Sequence, residues 1–401
     1  MPLSPAAPPI PSAVAAATAA WWARSQQRWA LSALAALALL GLAIRPPAAT
    51  AREAPAAGSG LGVWLTTVDS PVMMEAGARA RALGFLAANG FRRAALPVYS
   101  DGHAQIRLQD DPALLGLRRD PRLEATDPVA DLVQGLRRRG MEAVAWFEFG
   151  LMAPQGAAWL QGRDELLLQD AGGGRIWQES AGLNRVWLNP VHPQVQDFLT
   201  SLVVQTCRRY RFDALQFDDH LGYPARFGYD PLTLQLWRQT PAGAQNPTPA
   251  PDAPDWVAWR AEQITALLRR IRGAMTSACP GVRLSVAPNP QPFSLANWLA
   301  DWASWVRLGL VDEVVVQLYR NNLAAIDAEL ADPALREAAT RLPVRIGLLA
   351  GLGTRPKALE QLQAERRLLA ERGFAGVDLF FYETARQHFP AAAAVPPSGS
   401  P

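Results

Sequence analysis

The sequence predicts an α/β protein with a single domain, a (β/α)8 or TIM barrel, preceded by a hydrophobic leader. Three observations support this fold class. Eight short apolar runs recur along the chain, segments of helical length separate them, and several of these segments end in a glycine just before the next run. Strict alternation of strand and helix implies parallel pairing, and eight such units are the number that closes a barrel.

Each predicted unit joins an apolar strand to a helical segment. The helical segments include DPVADLVQGLRRRG, which Gly140 closes, and ERRLLAERGF, which is closed by Gly373. The eight predicted strands are LGVWLTTV from Leu61, FRRAALPVYS from Phe91, MEAVAWFEFG from Met141, FDALQFDD from Phe212, VRLSVAPN from Val282, VDEVVVQLYR from Val311, PVRIGLLAGL from Pro343 and FAGVDLFFYE from Phe374.

The amino-terminal end falls outside this pattern. Residues 29–44, WALSALAALALLGLAI, form an apolar run of 16 residues, which is the length of a signal-peptide core but short for a spanning helix. Arg24 and Arg28 precede the run, and residues 49–51 follow it as a small-residue cleavage pattern. We therefore predict export to the periplasm or the outside of the cell, with residues 29–44 as an inner-membrane anchor if the leader is not cleaved.

These features divide the chain into four parts. We predict a signal peptide or N-terminal membrane anchor over 1–51, a linker over 52–60, the barrel over 61–385, and a disordered Pro/Ala-rich tail over 386–401. Residues 1–51 hold three of the 39 basic residues and no acidic one, which leaves 36 basic residues against 36 acidic ones. Without a basic excess to neutralise phosphates, we predict no nucleic-acid partner, and membrane contact only through an uncleaved leader.

The two cysteines, Cys207 and Cys279, are too few for a disulfide scaffold or a structural zinc site. One interpretation is that both are small apolar residues of the core. The other is a disulfide, because both lie late in helical segments that precede neighbouring predicted strands, and an exported protein meets an oxidising compartment. A bridge requires that the two Cα atoms approach within about 7 Å.

The active site of a parallel barrel is built from the loops that follow the strands, so polar residues at strand ends are the candidates. Four carboxylates are candidate catalytic residues: Asp218 and Asp219 after the fourth strand, Glu148 in the third, and Glu383 in the eighth. Glycosidic bond cleavage needs two such carboxyl groups. One protonates the leaving oxygen, and the other acts as nucleophile or activates water. The candidate substrate-binding residues are Asp69, Tyr99, Asp101, His103, Trp146, His220, Asn289, Gln317, Tyr319 and Tyr382.

The two longest predicted βα loops, residues 150–190 and 220–255, are rich in aromatic side chains. An aromatic wall around a few polar groups is typical of a sugar-binding cleft, and ordinary loop packing is the alternative. The aromatic residues concerned are Trp159, Trp177, Trp187, Tyr223, Phe227, Tyr229 and Trp237.

A metal-dependent hydrolase, such as a polysaccharide deacetylase, is a competing interpretation of Asp218, Asp219 and His220, since carboxylate and imidazole bind Zn or Mn. The chain has only four histidines, with no HExxH motif and no histidine pair at i, i+4. We therefore predict neither a metal nor another cofactor.

Seven segments of the sequence resemble one known family. In chain order they are GVWLTTVDSPV, AWFEFG, VWLNPVHPQVQDFL, DALQFDDH, LSVAPNPQPFS, VDEVVVQLYR and GFAGVDLFFYE. They lie between Leu61 and Glu383 and resemble the glycosyl hydrolase-like 10 family of secreted bacterial proteins. The resemblance implies a (β/α)8 glycosidase-like protein of the cell envelope, and the family's Asp pair after the fourth strand falls on Asp218 and Asp219.

The resemblance also implies a substrate class, namely a bacterial envelope polysaccharide or the glycan strands of peptidoglycan. Xylan is not implied, because the similarly named xylanase family has catalytic Glu residues after strands four and seven, whereas strand four ends here in Asp218 and strand seven runs GLLAGLGTR. The identity of the second catalytic carboxylate stays open: it is either Glu148, on the strand next to Asp218, or Glu383, across the lumen. We predict an exported glycoside hydrolase with a two-carboxylate mechanism; a non-catalytic carbohydrate-binding barrel is the alternative.

Overall fold

The computed structural model describes residues 60–180, 183–353 and 355–389. Its barrel strands are β1 (Gly60–Trp64), β2 (Phe91–Ser100), β3 (Glu142–Phe147), β4 (Ala214–Asp218), β5 (Arg283–Ala287), β6 (Glu313–Gln317), β7 (Val344–Leu349) and β8 (Gly376–Phe380). Each strand pairs in parallel with the next, and β1 pairs with both β2 and β8, which closes the ring. The predicted (β/α)8 barrel and its eight strands are confirmed.

Helices connect the strands around the outside of the barrel. They are α1 (Ala76–Ala88), α2 (Pro128–Arg137), α3 (Pro193–Arg209), α4 (Pro231–Arg238), α5 (Pro241–Gln245), α6 (Pro254–Ala278), α7 (Gln291–Trp298), α8 (Trp302–Arg307), α9 (Leu323–Leu330), α10 (Pro333–Arg341), α11 (Leu359–Glu371) and α12 (Tyr382–Ala385). None of the helices in the described ranges is long and apolar enough to cross a membrane. The predicted leader over residues 29–44 lies outside those ranges.

Local sequence signals explain where these helices begin and end. Asp127 accepts a hydrogen bond from the backbone N of Ala130 and thereby caps α2, whose first residue is Pro128. Gly140 and Gly373 follow α2 and α11 with φ angles of +68° and +87°, the left-handed conformation that glycine adopts most easily. Both predicted helix stops are confirmed.

The alternation of side chains along β4 separates the lumen of the barrel from the outer core. Leu215 and Phe217 are fully buried in the large core between the strands and the helices. Ala214 belongs instead to a smaller apolar cluster with Trp64 and Trp146. Since side chains alternate along a strand, Ala214 and Asp218 share the face that points into the lumen.

Buried ion pairs fill the amino-terminal part of the lumen. Nη1 of Arg93 lies 2.7 Å from Oε2 of Glu313, and Nη2 of Arg345 lies 2.6 Å from Oδ1 of Asp378. Nε of Arg93 also lies 3.6 Å from Oδ2 of Asp378, so the two pairs form one network. With this end of the barrel occupied by protein side chains, a ligand can enter only from the carboxyl-terminal mouth.

The long loop after β3 carries a small antiparallel sheet of its own, made of the strands Met152–Pro154, Leu183–Trp187 and Trp177–Ser180. It is tied to the loop after β4, because the backbone N of Tyr229 donates to the backbone oxygen of Gln169 at 2.8 Å. The two loops therefore form one continuous wall.

A disulfide joins Cys207, near the end of α3, to Cys279, the residue after α6. Their Cα atoms are 6.1 Å apart, within the limit that we set for bridging. Of the two interpretations of the cysteines, the disulfide is therefore the one that the structure shows.

The described structure continues past the predicted end of the barrel at residue 385. A short 3-10 turn, Arg386–His388, leads to Phe389, whose ring lies 5.2 Å from that of Phe91 and 6.0 Å from that of Phe85. The first residues of the predicted tail are thus ordered by aromatic packing, and residues 390–401 lie outside the described residues.

Candidate active site

The carboxylate of Asp218 lies in the upper lumen at the end of β4, where three groups donate hydrogen bonds to it. Nε1 of Trp146 on β3 donates to Oδ2 at 3.0 Å. Oδ1 accepts from the backbone N of Asp219 at 2.9 Å and from the side-chain amide of Gln317 at the end of β6. Gln317 also donates to the backbone oxygen of Ala287 at 2.5 Å. Donors on β3, on β6 and in the turn after β4 therefore hold the Asp218 carboxylate in one position.

Asp219 and His220 lie in a 3-10 turn, Asp219–Leu221, that follows β4 directly. Nδ2 of Asn289, after β5, donates to Oδ2 of Asp219 at 2.7 Å. Nδ1 of His220 lies 2.7 Å from the backbone oxygen of Glu148 and carries a proton, because a carbonyl oxygen can only accept. Nε2 of His220 lies 3.8 Å from Oδ1 of Asp219, so a protonated imidazole forms an ion pair with that carboxylate.

Glu148, the residue after β3, supplies a third carboxylate. Its Oε2 accepts a hydrogen bond of 2.5 Å from the hydroxyl of Ser100, the last residue of β2. The chain then turns at Gly150, where φ is +51° and a Cβ atom would lie 2.6 Å from the backbone oxygen of His220. Leu151 N donates to that same oxygen at 2.8 Å. Only glycine permits this close approach, which holds the ends of β3 and β4 together.

Burial dominates the electrostatics of these groups. Desolvation raises the pKa of Asp218 well above its ordinary value, and the charge of Asp219 raises it further, whereas His220 acts in the opposite direction. Desolvation also raises the pKa of Glu148, against the hydrogen bond from Ser100. For His220, desolvation is the largest effect and lowers the pKa, but Asp219, Asp218 and Glu148 together outweigh it, and the net shift is upward. Several displaced pKa values in one pocket are typical of active sites.

The same cluster has the spacing of metal ligands. One ligand atom from each of Asp218, Asp219 and His220 lies within 4.8 Å of the other two. The upward shift of the His220 pKa works against ligation, because a metal-binding imidazole must be neutral. The spacing is compatible with a divalent cation, and the absence of a metal requirement stays a prediction.

Most of the site residues predicted on strands three to six surround this cluster. Tyr319, after β6, is one of them: burial raises the pKa of its hydroxyl well above its ordinary value, and the charges of Asp218 and Asp219 add to the effect. The predicted residues that the structure brings together are Trp146, Glu148, Asp218, Asp219, His220, Asn289, Gln317 and Tyr319.

Tyr99 does not line the mouth, contrary to the prediction that it binds substrate. It is fully buried, and its ring packs edge-on against Phe149 and Phe198 in the outer core. The pairing of β2 with β3 is irregular between Pro97 and Tyr99, which changes the alternation there. The inward position belongs to Ser100, which the sequence analysis missed although it is the polar last residue of the predicted strand.

Tyr382 also lies away from the mouth, where we predicted a substrate contact. The residue is 6% exposed, and its ring packs edge-on against Phe85 of α1 at 5.8 Å. The adjacent Glu383 accepts hydrogen bonds from Ser70 at 2.9 Å and from Arg386 at 2.6 Å. Arg386 therefore forms an ion pair with Glu383, whereas the backbone oxygen of Glu148 is bonded to His220 within the cluster.

Three further candidates lie on turns at the rim. Asp69 and Asp101 are exposed, with positive φ angles of 55° and 48°. Oδ1 of Asp101 lies 3.3 Å from Nη1 of Arg185, and Nδ1 of His103 lies 2.9 Å from the backbone oxygen of Asp101. Their role as substrate contacts stays a prediction.

Loop packing, rather than an open sugar-binding wall, accounts for five of the predicted loop aromatics. Trp187 is also buried, but its ring centroid lies 5.7 Å from that of His220. Trp298, at the end of α7 and not predicted, lies 6.2 Å from His220 and 6.0 Å from the half-buried Trp177. We call Trp177, Trp187 and Trp298 the tryptophan cluster. The five loop aromatics that are buried and outside this cluster of rings are Trp159, Tyr223, Phe227, Tyr229 and Trp237.

The fold and the carboxylates at its mouth define the class, a (β/α)8 barrel of the glycoside hydrolase type. The glycoside hydrolase domain of PgaB (BpsB) from Bordetella bronchiseptica has a TM-score of 0.61 and 14% sequence identity, over 83% of this chain and 97% of that one. Alpha-L-fucosidase isoenzyme 2 from Paenibacillus thiaminolyticus has a TM-score of 0.58 and 14% identity, over 82% of this chain and 47% of that one. At such identities the similarity shows the fold alone.

The chain belongs to the glycosyl hydrolase-like 10 family, which matches residues 61–365 and confirms the resemblance inferred from the sequence. Glycosyl hydrolase DigH of Escherichia coli (strain K12) is 24% identical over 213 residues, 48% of this chain and 46% of that protein. Glycosyl hydrolase YngK of Bacillus subtilis (strain 168) is 24% identical over 228 residues, 51% of this chain and 42% of that protein. The chain spans about half the length of the curated relatives it matches. Family and fold together support a hydrolase that acts on glycans.

Proposed function

We propose that this protein is an exported glycoside hydrolase that cleaves a bacterial envelope polysaccharide or the glycan strands of peptidoglycan by a two-carboxylate mechanism. The observation that carries this proposal is the convergence of Asp218, Asp219 and Glu148 on one site at the mouth of the barrel. Glycosidic bond hydrolysis needs one group that gives a proton to the leaving oxygen and one that attacks or activates water.

Glu148 is the proton donor in this proposal, because Asp218, whose pKa is also raised, accepts three hydrogen bonds that suit the ionised form, whereas the carboxyl of Glu148 accepts one from Ser100. Burial raises the pKa of its carboxyl, so the group keeps its proton closer to neutral pH than an exposed glutamate does. A general acid works best when its pKa lies near the working pH. Glu148 is preferred to Glu383 because its backbone oxygen is bonded to His220 of the carboxylate cluster, whereas Glu383 bonds to Ser70 and Arg386.

Asp218 is the nucleophile or general base. Its two oxygens accept hydrogen bonds from Trp146, Gln317 and the backbone of the next residue, an arrangement that suits an ionised carboxylate in a fixed orientation. The upward shift of its pKa makes the ionised form more basic than that of an exposed aspartate, and therefore a better acceptor of a proton from water.

Asp219 and His220 position the reacting groups. His220 bonds to the backbone of Glu148 and faces Asp219 across 3.8 Å, so it connects the strand that carries the acid to the strand that carries the base. Asn289 holds the other oxygen of Asp219. Such fixed geometry reduces the reorganisation that the reaction needs.

Export and the envelope substrate rest on two further observations. The disulfide between Cys207 and Cys279 suits an oxidising compartment, and the predicted leader over residues 29–44 supplies a route to it. The relatives that are named glycosyl hydrolases, and the glycoside hydrolase domain that shares the fold, support a glycan as the substrate.

The proposal is tested by incubating the purified protein with a panel of envelope polysaccharides and with peptidoglycan glycan strands freed of peptides. Mass spectrometry of the soluble fraction should show new reducing-end fragments from at least one polymer. Binding to a polymer without any new product would instead favour the non-catalytic carbohydrate-binding barrel. If the protein neither binds nor cleaves any polymer of the panel, that result would contradict both functions.

A further inference from the structure

We infer that Trp298 and Trp177 are sugar-stacking residues of outer subsites, and that the site therefore takes a glycan chain of several sugars and not a single sugar residue. The inference rests on the proposed function and deepens it by stating the length class of the substrate. It assigns a binding role to Trp298, at the end of α7, and gives a place to Trp177 along the same wall.

The first argument is the geometry of the tryptophan cluster. The ring of Trp298 lies 6.2 Å from that of His220, in an edge-on orientation, and Trp177 lies 6.0 Å further along. Trp187 lies beneath them, with its ring 5.4 Å from Trp298 and only 1% of its surface exposed. These rings lead in steps from the carboxylate cluster to the loop surface, where Ile176 is 42% exposed. A track of this kind fits a chain of sugars, whose apolar faces pack on aromatic rings.

The second argument is that the backbone holds Trp298 in place. The backbone oxygen of Trp298 accepts a hydrogen bond of 2.8 Å from the backbone N of Tyr223. Gly222 makes this approach possible, because a Cβ atom there would lie 2.3 Å from the same oxygen. The next residue, Leu299, has a φ of +58°, a conformation that is uncommon outside glycine and ends α7 at this point. A rigid aromatic group binds a ligand at a low cost in conformational entropy.

The third argument is that a cation orients the ring of Trp177. The guanidinium carbon of Arg226 lies 4.7 Å from the centroid of the Trp177 ring. Nη2 of Arg226 also donates to the backbone oxygen of Ile176 at 2.5 Å, which fixes the arginine on the sheet that carries Trp177. Since Trp177 is only half-buried, the cation orients the indole while part of the residue stays accessible.

The test measures how cleavage depends on substrate length. Size-fractionated oligosaccharides from glycan strands freed of peptides are given to the purified protein and to Trp298→Ala, Trp177→Ala and Trp298→Phe variants. We expect KM for the longest fraction to rise roughly 3- to 10-fold in each alanine variant, the range that corresponds to one lost aromatic contact. We expect KM for the shortest cleaved fraction to change less than KM for the longest fraction, and Trp298→Phe to keep most of the affinity.

Trp259→Ala is the matched control. Trp259 is half-buried like Trp298, but it stacks on Trp256 at 5.4 Å in a separate aromatic cluster on α6. We expect this variant to show parental KM values for every fraction. Thermal unfolding of all variants identifies any alanine variant that has lost its fold, and Trp298→Phe then carries the comparison.

Calorimetric titration of the same fractions separates this inference from the proposed function. If the protein binds long fractions more tightly than short ones and the alanine variants lose that difference, the subsites exist even where no product forms. Equal affinity of parent and alanine variants for every fraction would overturn the inference, although hydrolysis could still occur. No binding of any fraction to the parent would overturn the inference and the choice of peptidoglycan glycan strands as the substrate.

Discussion

The ion network inside the barrel gives a prediction about stability. Glu313 is 1% exposed and pairs with Arg93, and its other oxygen accepts a hydrogen bond of 2.9 Å from Ser285. Burial alone would raise the pKa of Glu313, but Arg93, with further help from Arg345, outweighs it and lowers the pKa to about 2. Replacing Glu313 by Gln removes this charge and leaves the buried arginines short of one negative partner.

The expected cost of Glu313→Gln follows from this burial. Breaking a buried pair by removing one partner costs about 3 to 5 kcal/mol, because the remaining charge is uncompensated. At the unfolding entropy typical of globular proteins, that corresponds to a decrease in Tm of about 4 to 7 °C for a barrel of this size. Differential scanning calorimetry at neutral pH measures the decrease.

Glu142→Gln is the matched control for this experiment. Glu142 joins the edge of the same network, 3.0 Å from Arg283, but its side chain is 44% exposed. An exposed pair contributes about 0 to 1 kcal/mol, so the control should lower Tm by less than about 2 °C. If Glu313→Gln lowers Tm no more than Glu142→Gln does, the buried network is not a stabilising element and the reasoning is wrong.

The pH dependence of Tm provides a second check on the stabilising contribution of Glu313. The pKa of Glu313 is lowered on folding, so its contribution is present above the ordinary value of 4.5 and is lost as the pH falls through about 2. The difference in Tm between the parent and Glu313→Gln should therefore shrink between these pH values. A difference that grows on acidification would contradict the assignment.

Two other predictions test the disulfide and the carboxylate of Asp218. Cys207→Ser removes the bridge between cysteines 72 residues apart and should lower the free energy of unfolding by about 2 to 4 kcal/mol. The variant should have a lower Tm, which reductant no longer changes. A parental Tm would show that the bridge does not stabilise the fold. Trp146→Phe removes a hydrogen-bond donor to Asp218, so the pKa of Asp218 should rise further. The acid limb of the pH–rate profile should then move to higher pH. Trp64→Phe, which removes a hydrogen bond to the neutral Gln216, should leave that limb in place.

The strands and their lumen-facing residues could be predicted because the alternation of apolar residues, and the glycines that end the helices, are local properties of the sequence. The alternation along β4 placed Gln216 and Asp218 on the lumen side, and both lie there, Gln216 bonded to Ser285 and Asp218 to Trp146. Residues of consecutive strand ends then meet because parallel pairing closes the ring. For this reason Asn289 and Asp219, 70 residues apart, could both be predicted from the sequence as site residues.

The parts that sequence reasoning missed depend on tertiary contacts. The choice between Tyr99 and Ser100 turns on an irregular pairing near Pro97, which strict alternation does not anticipate. Trp298 reaches His220 because of the left-handed turn at Leu299 and the close approach of Gly222, and neither is visible in a pattern of apolar residues. Side-chain direction at an element's end is set by such packing.

The measurement that tests the central claim most directly is the turnover of Asp218→Asn on the polymer that the parent protein cleaves. The variant keeps the shape of the side chain and can still accept one of the hydrogen bonds from Trp146 and Gln317, so circular dichroism and Tm should show a folded barrel. Without a carboxylate to attack or to activate water, kcat should fall by roughly 100- to 10,000-fold, while affinity for the glycan changes little. A folded Asp218→Asn protein that releases the same fragments at the parental rate would contradict the account.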